Sequence, residues 1–451
     1  MSSGSRPEPG IPRPYAFPPA ETHRLGNGLT LVSVSLHRLP VATILFTTEG
    51  GAEQDPASLA GVGLLAAQAL GEGTESRNAA QMADDFERLG GELHMDAGWT
   101  HSECGTTVLS QAASETMSLL ADVVRHPSLP DDGVERLRHE RLADLHQQLA
   151  EPRGIADDLF AAGCFAPGDR YAFPVGGNQR SVGACTVARV RDHYRARHTP
   201  GRSVLIVVGD VVAETALALA ESAFGSWEPM ALEPEDTLSF RAQPSRGVYV
   251  GHRPGAPQSE IRIGHASVSR THEDFYAIAV MNAILGGLFN SRINLNLRER
   301  HAYTYGAFSS FDWRRSGSTF EVSTAVRSDV TALAITEILG EIERIRSDVV
   351  RADELSLAIA YLTGVFPLRF ETTAAIADAI AFRKHVGLGA EYFDEYRGKI
   401  AAITSVDVQR VAQAHLDPKR MQIVVVGDAE QFERPLAALE LGDVRRIEPT
   451  P

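Results

Sequence analysis

An arginine and a tyrosine seven positions apart are the residues of this sequence best suited to take part in chemistry. Arg298 falls in the last turn of a predicted helix over 289–300, where a cation suits the helix dipole. Tyr305 lies in Tyr303-Thr304-Tyr305, which is predicted to begin a strand. A helix end followed by a strand start can turn both side chains toward one point, where they would donate hydrogen bonds to a carbonyl oxygen. The competing interpretation is an exposed arginine and a half-buried strand tyrosine.

Two pairs of histidines are further candidates, as metal ligands. His94 and His101 lie in one predicted strand segment, where a spacing of seven residues would place them on opposite faces. His139 and His146 have the same spacing on a predicted helix, with acidic residues that include Asp144 between them. The helical group could form a weak surface metal site, but a solvated helix face is the more common arrangement, and we predict that one here.

The composition excludes several classes of function. The chain has 451 residues, 43% hydrophobic and 22% charged, as expected for a globular protein with two or more domains. Its formal net charge of -15 argues against nucleic acid or an anionic membrane as the main partner. The longest uncharged apolar stretch, 275–291, is broken by glycines and predicts a buried helix rather than a membrane span. Cys104, Cys164 and Cys185 lack the spacing of a disulfide or zinc motif, and residues 1–19 lack a signal sequence, so we expect a cytoplasmic protein.

Strands and helices are predicted to alternate through the first half. Residues 21–46 alternate around Gly26-Asn27-Gly28, which predicts a hairpin. The run 58–70 carries no charge and predicts a helix that is buried on all sides. The remaining predicted elements are a helix at 78–89, a strand pair at 92–110, a helix at 114–126 capped by Ser114, and a helix at 131–149.

A constant offset of 218 residues relates the segments 186–210 and 404–428. Each segment predicts a helix, a turn marked by proline, and a buried strand that ends in Gly-Asp. The matching residues are Thr186 with Thr404, Val190 with Val408, Pro200 with Pro418, Arg202 with Arg420, and Gly209-Asp210 with Gly427-Asp428. The repeat indicates a tandem duplication and an α+β fold of two similar halves. The predicted units are a disordered arm at 1–19, a first half at 20–227, a linker at 228–244, a second half at 245–442 and a tail at 443–451.

An ordered set of short motifs along the chain resembles the pitrilysin/insulinase family of zinc peptidases. More narrowly, the chain resembles the half-length bacterial branch that is related to the mitochondrial processing peptidase. The motifs are Arg-Leu-Gly-Asn-Gly-Leu at 24–29, Gly-Gly-Ala-Glu at 50–53, Leu-Gly-Gly-Glu-Leu at 89–93, Ile-Leu-Gly-Gly at 284–287, Leu-Arg-Glu at 297–299 followed by Tyr-Thr-Tyr-Gly at 303–306, the segment 361–369, and Val-Val-Val-Gly-Asp at 424–428.

The resemblance implies where zinc would bind in a catalytic member. The family carries His-x-x-Glu-His on its first long helix, which supplies two ligands and the general base, and a glutamate from a later helix is the third ligand. In this sequence the two histidines are replaced by Leu64 and Gln68, the base by Ala67, and the third ligand by Asp144. Leucine and alanine can neither bind a metal nor move a proton. The resemblance therefore implies no cofactor in this chain, with zinc expected in a partner subunit.

The resemblance also implies a role for the arginine and the tyrosine. In the family, an arginine and a tyrosine seven residues later reach the active site from the second half and bind the substrate near the scissile carbonyl. Arg298 and Tyr305 match that pattern. The implied function is a non-catalytic subunit of a heterodimeric zinc metallopeptidase, which closes the chamber around an extended peptide that adds a strand to a sheet edge.

Two alternatives remain. The first is a purely structural homologue, like the core subunits of a respiratory complex, and the presence of Arg298 and Tyr305 argues against it. The second is a stand-alone peptidase with a divergent metal site, which the replaced ligands argue against.

Overall fold

The computed structural model describes residues 13–230 and 240–447, which form two six-stranded sheets with helices. The strands of the first sheet are β1 (Glu21–Arg24), β2 (Thr30–Ser35), β3 (Val41–Glu49), β4 (His94–Ala97), β5 (His101–Leu109) and β6 (Ser203–Gly209). The strands of the second sheet are β7 (Gly247–His252), β8 (Gln258–Ser267), β9 (Ala307–Trp313), β10 (Ser318–Arg327), β11 (Gln422–Gly427) and β12 (Val444–Ile447).

The helices follow the same order in the two halves. Those of the first half are α1 (Val62–Gln68), α2 (Ala79–Arg88), α3 (Ala113–Arg125), α4 (Asp131–Gln148), α5 (Pro152–Cys164), α6 (Gln179–Gly183), α7 (Val187–Arg197) and α8 (Ala213–Phe224). Those of the second half are α9 (Phe275–Asn282), α10 (Arg292–Asn294), α11 (Thr331–Ser347), α12 (Ala352–Val365), α13 (Thr373–Val386), α14 (Tyr392–Ala401), α15 (Ser405–His415) and α16 (Ala429–Ala437). Helices α9 and α10 each continue into a π-helical segment, Ala283–Gly287 and Leu295–Arg300.

The sheet topology confirms the predicted duplication and the α+β class. The strand orders are β1-β2-β6-β3-β5-β4 and β12-β7-β11-β8-β10-β9, and β6 and β11 each lie beside a parallel and an antiparallel neighbour. The side chains of Thr186 and Thr404 cap α7 and α15 at matching positions. The halves differ at one edge, because β1 is antiparallel to β2 whereas β12 is parallel to β7.

The two halves exchange a helix, which joins them into one unit. Helix α5 of the first half packs on the second sheet, where Ile155 and Phe160 meet Val424 and Val426 in a buried cluster. Helix α13 of the second half packs on the first sheet in a matching cluster, formed by Ile376, Ile380, Val32, Val34, Ile206 and Val208. Each sheet therefore completes its buried apolar layer with a helix from the other half.

A loop of the second half also contacts the first half. The guanidinium of Arg314 lies 3.8 Å from the ring centre of Trp99, and Arg315 forms a 2.8 Å ion pair with buried Glu53. The Tyr171 hydroxyl donates to the same Glu53 carboxylate over 2.9 Å. This polar contact adds to the helix exchange, so the orientation of one half on the other is fixed from two sides.

Several local predictions are wrong. Tyr303, Thr304 and Tyr305 do not begin a strand, because Thr304 and Gly306 close a tight turn and β9 starts only at Ala307. Ser114 is not a helix cap, since α3 already begins at Ala113. The predicted helix at 58–70 is three shorter segments, with short 3-10 turns on both sides of α1.

The predicted arm, linker and tail are described in part. Residues 1–12, 231–239 and 448–451 of these segments lie outside the described residues. The described part of the arm packs on the second half, where the Phe17 ring stacks on Phe393 at 3.9 Å and Tyr15 contacts Phe366. The tail contributes strand β12. No helix in the described part of the chain has both the length and the apolar character that crossing a membrane requires.

Candidate functional site

Helix α1 holds three of the four positions at which the family places its metal site. Ala67 is buried, with 1% of its surface exposed, and Leu64 and Gln68 are half-buried. The helix starts at Gly61, whose φ of +96° is strained for any other residue and whose amide donates to Asp55 over 2.9 Å. The backbone that would present metal ligands is therefore well defined, but the side chains on it are apolar or neutral.

The ionisable groups packed against α1 have structural roles. The Asp55 carboxylate is buried 3.5 Å from Arg170, and its burial raises its pKa to about 6. His193 faces Gly63 of α1, and burial lowers its pKa to about 3, so its imidazole is neutral at physiological pH. These groups fix the start of α1 and the helix behind it, α7. They do not replace the missing zinc ligands.

Asp144, the position of the third ligand, is an exposed residue of α4. It lines an open cavity of about 580 Å³ together with Arg141, Arg153 and Asp158. Within residues 13–230 and 240–447, no hydrogen bond or ion pair joins Asp144 to α1. Leu64, Ala67, Gln68 and Asp144 thus form no donor set that fits zinc, which needs three or four nitrogen, sulfur or carboxylate ligands around one point.

Of the two histidine pairs, one differs from its prediction and the other agrees with it. His94 and His101 lie on separate antiparallel strands, β4 and β5, so the prediction that they face opposite sides of one strand is wrong. Both imidazoles contact the carboxylate of Glu103, at 3.5 and 3.4 Å. His139 and His146 are exposed on α4, in agreement with the predicted solvated helix face.

One group among the described residues brings three potential metal ligands together: His272, Asp274 and His415. Its groups already satisfy one another. Asp274 accepts from Arg410 and from His415, each over 2.7 Å, and its own amide donates to Nδ1 of His272 over 3.1 Å. These contacts lower the pKa of Asp274 to about 2, the largest effect being the Arg410 hydrogen bond. The Arg410 guanidinium therefore supplies the positive charge that a metal would otherwise bring.

Tyr305 is presented on a rigid loop with its side chain in solvent. The loop closes when the Thr304 hydroxyl donates to the Gly306 carbonyl over 2.9 Å, and Thr324 of β10 donates to the Thr304 hydroxyl over 3.1 Å. The Tyr303 amide donates to Leu297 over 2.9 Å, which anchors the loop to the preceding helix. Tyr305 is nevertheless 93% exposed, the most exposed large hydrophobic side chain of the described residues. The backbone that carries Tyr305 is thus fixed, and its phenol is accessible to another molecule.

Arg298 lies in the π-helical segment just before that loop. Its guanidinium lies 4.6 Å from the ring centre of Phe289, so a cation–π contact holds the side chain. Its Nη1 has no hydrogen-bond acceptor among the described residues, and the closest carboxylate oxygen, on Glu299, is 3.6 Å away. Nη1 itself is buried, so only the other part of this stacked guanidinium, whose side chain is 34% exposed, faces solvent.

Tyr305 lines a cavity of about 330 Å³ on the second sheet, with Arg153, Glu260, Arg262 and Phe308. Arg153 of α5 also lines the cavity that contains Asp144, so the two cavities meet at this residue. Arg298 is not among the described residues that line either cavity. The structure therefore connects Tyr305 with the Asp144 region through Arg153, whereas it leaves Arg298 on the neighbouring helix surface.

Arg262 and its acidic partners were not predicted from the sequence. The Arg262 side chain is buried beneath α5, where Asp157, Glu260 and Glu321 lie 2.7, 2.9 and 3.2 Å from its nitrogen atoms. Burial raises the pKa of Glu321 to about 7. These residues come from β8, β10 and α5, and no short-range pattern in the sequence marks them. Only the exchanged position of α5 brings them together.

Asparagine side chains cover the free edge of β9. Asn282 donates to the Ser309 carbonyl over 3.1 Å, and the Ala307 amide donates to Asn294 over 3.0 Å. These strand groups would otherwise be open to a further strand. These two contacts occupy one carbonyl and one amide of the edge, so this part of β9 is closed to a further strand.

The site combines hydrogen-bond donors with a lack of catalytic groups. Tyr305 and Arg298 can stabilise a carbonyl oxygen or its developing negative charge. Helix α1 supplies no general base and no metal ligand.

Two family models match the chain. One, described as insulinase (peptidase family M16), matches residues 30–165. The other, described as peptidase M16 inactive domain, matches residues 184–362. The first match contains α1 and Asp144, and the second contains Arg298 and Tyr305.

The chain is similar to several proteins over most of its length. An uncharacterized zinc protease of Mycobacterium leprae (strain TN) is 26% identical over 411 residues, covering 89% of this chain and 90% of that protein. A probable mitochondrial-processing peptidase subunit beta of Schizosaccharomyces pombe is 25% identical over 446 residues, covering 92% of this chain and 93% of that protein. The fold is similar to a peptidase M16 inactive domain from Pseudomonas fluorescens, with a TM-score of 0.83, 23% identity and coverage of 90% of this chain and 98% of that chain.

Proposed function

This chain belongs to the insulinase (M16) family of peptidases, and we propose that it is a non-catalytic subunit of a zinc peptidase whose metal is held by a partner chain. The family gives the fold, and we take the kind of reaction from the zinc proteases that this chain resembles. The proposal adds that the reaction takes place on a second, half-length chain, and that this chain completes the active site. Its three buried free cysteines suit the reducing cytoplasm as the place of assembly.

One observation carries the proposal: the two halves differ in which polar groups they keep. Ala67 is buried and Leu64 apolar at the metal site, whereas Tyr305 is 93% exposed on a loop that four hydrogen bonds and a strand start define. Exposing an aromatic ring to water on a rigid loop is unfavourable, and burial of that ring against a partner or substrate would be favourable. A scaffold subunit has no need of such a loop.

We assign to Tyr305 and Arg298 the binding of the substrate carbonyl at the partner's zinc site. A phenol and a guanidinium donate hydrogen bonds to an oxygen that becomes negatively charged during hydrolysis. The partly exposed guanidinium of Arg298, which stacks on Phe289, and the exposed side chain of Tyr305 support this role. Both residues act on the partner's active site in trans, because no residue of α1 could use them.

The substrate in this proposal is an extended peptide or an unfolded segment. Strand addition at β9 is disfavoured, since Asn282 and Asn294 already bond to the Ser309 carbonyl and the Ala307 amide at its outer edge. We therefore assign strand addition to the partner's sheet. This chain then contributes the opposite wall, formed by the Tyr305 cavity with Arg153 and Phe308.

Reconstitution tests the proposal. This chain is titrated into a fixed amount of a half-length family member from the same organism that carries His-x-x-Glu-His, and cleavage of a fluorogenic peptide is followed. Turnover should rise and level off at an equimolar ratio, while either chain alone stays nearly inactive. Full activity of the catalytic chain alone would favour the assembly homologue, and cleavage by this chain alone would favour the stand-alone peptidase.

A further inference from the structure

A second cavity, separate from the Tyr305 loop, lies among the helices of the second half. It has a volume of about 410 Å³ and is bounded by α9, α12, α13, α14 and the end of β9. Its walls are mainly aromatic. The rings that line it belong to Phe275, Phe311, Trp313, Tyr361, Phe382, Tyr392 and Tyr396.

Arg270 is the buried charged residue in the lining of this cavity, and it is 4% exposed. Its guanidinium carbon lies 3.3 Å from the ring centre of Phe275 and 4.9 Å from that of Tyr392. Its Nη2 is buried and has no hydrogen-bond acceptor in the described part of the chain. Across those residues, no carboxylate lies within ion-pair distance of it. Arg270 is thus a buried cation whose neighbours are aromatic rings and the Tyr392 hydroxyl, with no carboxylate to balance its charge.

Two other buried arginines show that this environment is unusual within the molecule. Arg262 has Asp157 at 2.7 Å, and Arg314 has Asp312 at 2.6 Å. Each of these guanidinium groups is as buried as Arg270, and each has a carboxylate. Burying a charge without a counter-charge is costly, and burial lowers the pKa of Arg270. The cavity next to Arg270 is therefore the place where a counter-charge is missing.

The other polar groups of the cavity also suit an anion. Arg369 lines it from the 3-10 turn that follows α12, and this exposed arginine has no ion-pair partner among the described residues. The hydroxyl groups of Tyr361, Tyr392 and Tyr396 are further donors. No aspartate or glutamate is among the residues that line the cavity. Two guanidinium groups at one aromatic cavity favour a negatively charged ligand with an apolar body.

We propose that this cavity binds a carboxylate that carries an aromatic ring, with the carboxylate on Arg270 and the ring between the aromatic walls. A planar carboxylate matches the planar guanidinium fork, and a single charge keeps the cost of desolvation below that of a phosphate. The volume lies at the lower end of small-molecule sites. A free aryl-alkanoic acid and the C-terminal aromatic residue of a peptide share this chemistry. The proposal does not depend on the peptidase partner.

Isothermal titration of the full-length chain with matched acids and amides tests this site. The probes are 3-phenylpropionate, 3-phenylpropionamide, the tripeptide Ala-Ala-Phe and its C-terminal amide. The two acids should bind at least about tenfold more tightly than their amides, because a charge-assisted hydrogen bond is lost in the amide. Tighter binding of 3-phenylpropionate assigns the site to small acids, and tighter binding of the tripeptide assigns it to peptide ends. Equal binding of acid and amide, or no heat with any probe at millimolar concentration, overturns the proposal.

Substitution of Arg270 supplies the second test. Arg270→Met replaces the guanidinium side chain by an unbranched apolar one. It should abolish acid binding, while the melting temperature of the ligand-free chain stays the same or rises. The matched control, Arg327→Met, removes a surface arginine that pairs with Asp329 and should bind like the wild type. Should Arg270→Met fail to fold, Arg369→Met is measured instead and should weaken the acids about tenfold. Unchanged acid affinity in a folded Arg270→Met variant contradicts the proposal.

Discussion

The α1 region lies in the first half of a duplicated fold and the Tyr305 region in the second, and the two halves differ in the side chains that they keep at these regions. In each half a glycine lies where a helical segment packs on an edge strand of the sheet. Gly71 faces Met95 of β4, and Gly286 faces Ser309 of β9. In the first half, the metal-site positions on α1 carry Leu64, Ala67 and the neutral Gln68. In the second half a loop closed by hydrogen bonds still exposes a phenol. The scaffold is kept in both, so the difference reflects the side chains that each site uses.

Removing the hydrogen-bond donors of the second half, Tyr305 and Arg298, is the most direct test of this difference. Tyr305→Phe and Arg298→Ala should each lower turnover of the reconstituted complex by about a hundredfold, since one donor to the developing charge contributes about 3 kcal/mol. Steady-state cleavage at saturating partner measures this. Tyr303→Phe is the matched control, because it removes a hydroxyl from the same loop but its ring packs on the core. Normal turnover in both variants would show that the loop is not part of the active site.

Restoring an ionisable group in the first half should destabilise the chain. Ala67→Glu places a carboxylate where Ala67 is 1% exposed and where neither a metal nor a cation compensates it. We expect a loss of about 3 kcal/mol in the free energy of unfolding, measured by urea titration. Gln68→Glu, at the half-buried neighbouring position, is the control and should lose much less. An Ala67→Glu variant as stable as the wild type would mean that the site has kept a polar environment.

The cluster at the exchanged helix α5 predicts a pH dependence of stability. Glu321 has its pKa raised to about 7 in the folded chain, against 4.5 without burial, so the folded state binds an extra proton between these values. Its contribution to the free energy of unfolding is full below pH 4.5 and is lost as the pH rises through about 7. Allowing for partial exposure, the change is on the order of 2 kcal/mol. Glu321→Gln should flatten this part of the stability profile, and an unchanged profile would rule out the assignment.

The smallest effect is expected from the ring beneath Arg298. Phe289→Ala removes the cation–π contact at 4.6 Å but leaves the guanidinium in place. A contact of about 0.5–1 kcal/mol corresponds to a two- to fivefold loss of turnover at saturating partner. Leu295→Ala is the control, because Leu295 is also an exposed apolar residue of this region. A loss as large as that of Arg298→Ala would mean that Phe289 itself binds the substrate.

The duplication could be predicted because its signals are local. Pro200, Pro418 and the two Gly-Asp pairs mark turns and strand ends in the sequence itself. The helix exchange could not be predicted, since nothing in the sequence of α5 or α13 indicates which sheet it covers. The error over His94 and His101 has a local cause: Gly98 bonds to His101 in a turn that divides the predicted strand in two.

The chemical content of the two sites was predictable to different extents. The replacement of the metal ligands by Leu64, Ala67 and Gln68 is visible in the sequence, because it requires only the motif. The surroundings of Arg270 and Arg262 are not, since whether a buried arginine has a carboxylate depends on residues that are distant in the chain. Contacts of that kind come from packing, which the periodicity of the sequence does not encode.

Zinc content tests the central claim most directly. Elemental analysis is made on the isolated chain after mild chelation and on the reconstituted complex, with His415→Ala as a control for zinc held by the His272–Asp274–His415 group. The account predicts no stoichiometric zinc in the isolated chain and one zinc per complex, in the catalytic partner. Close to one tightly held zinc in the isolated wild-type chain would contradict the account.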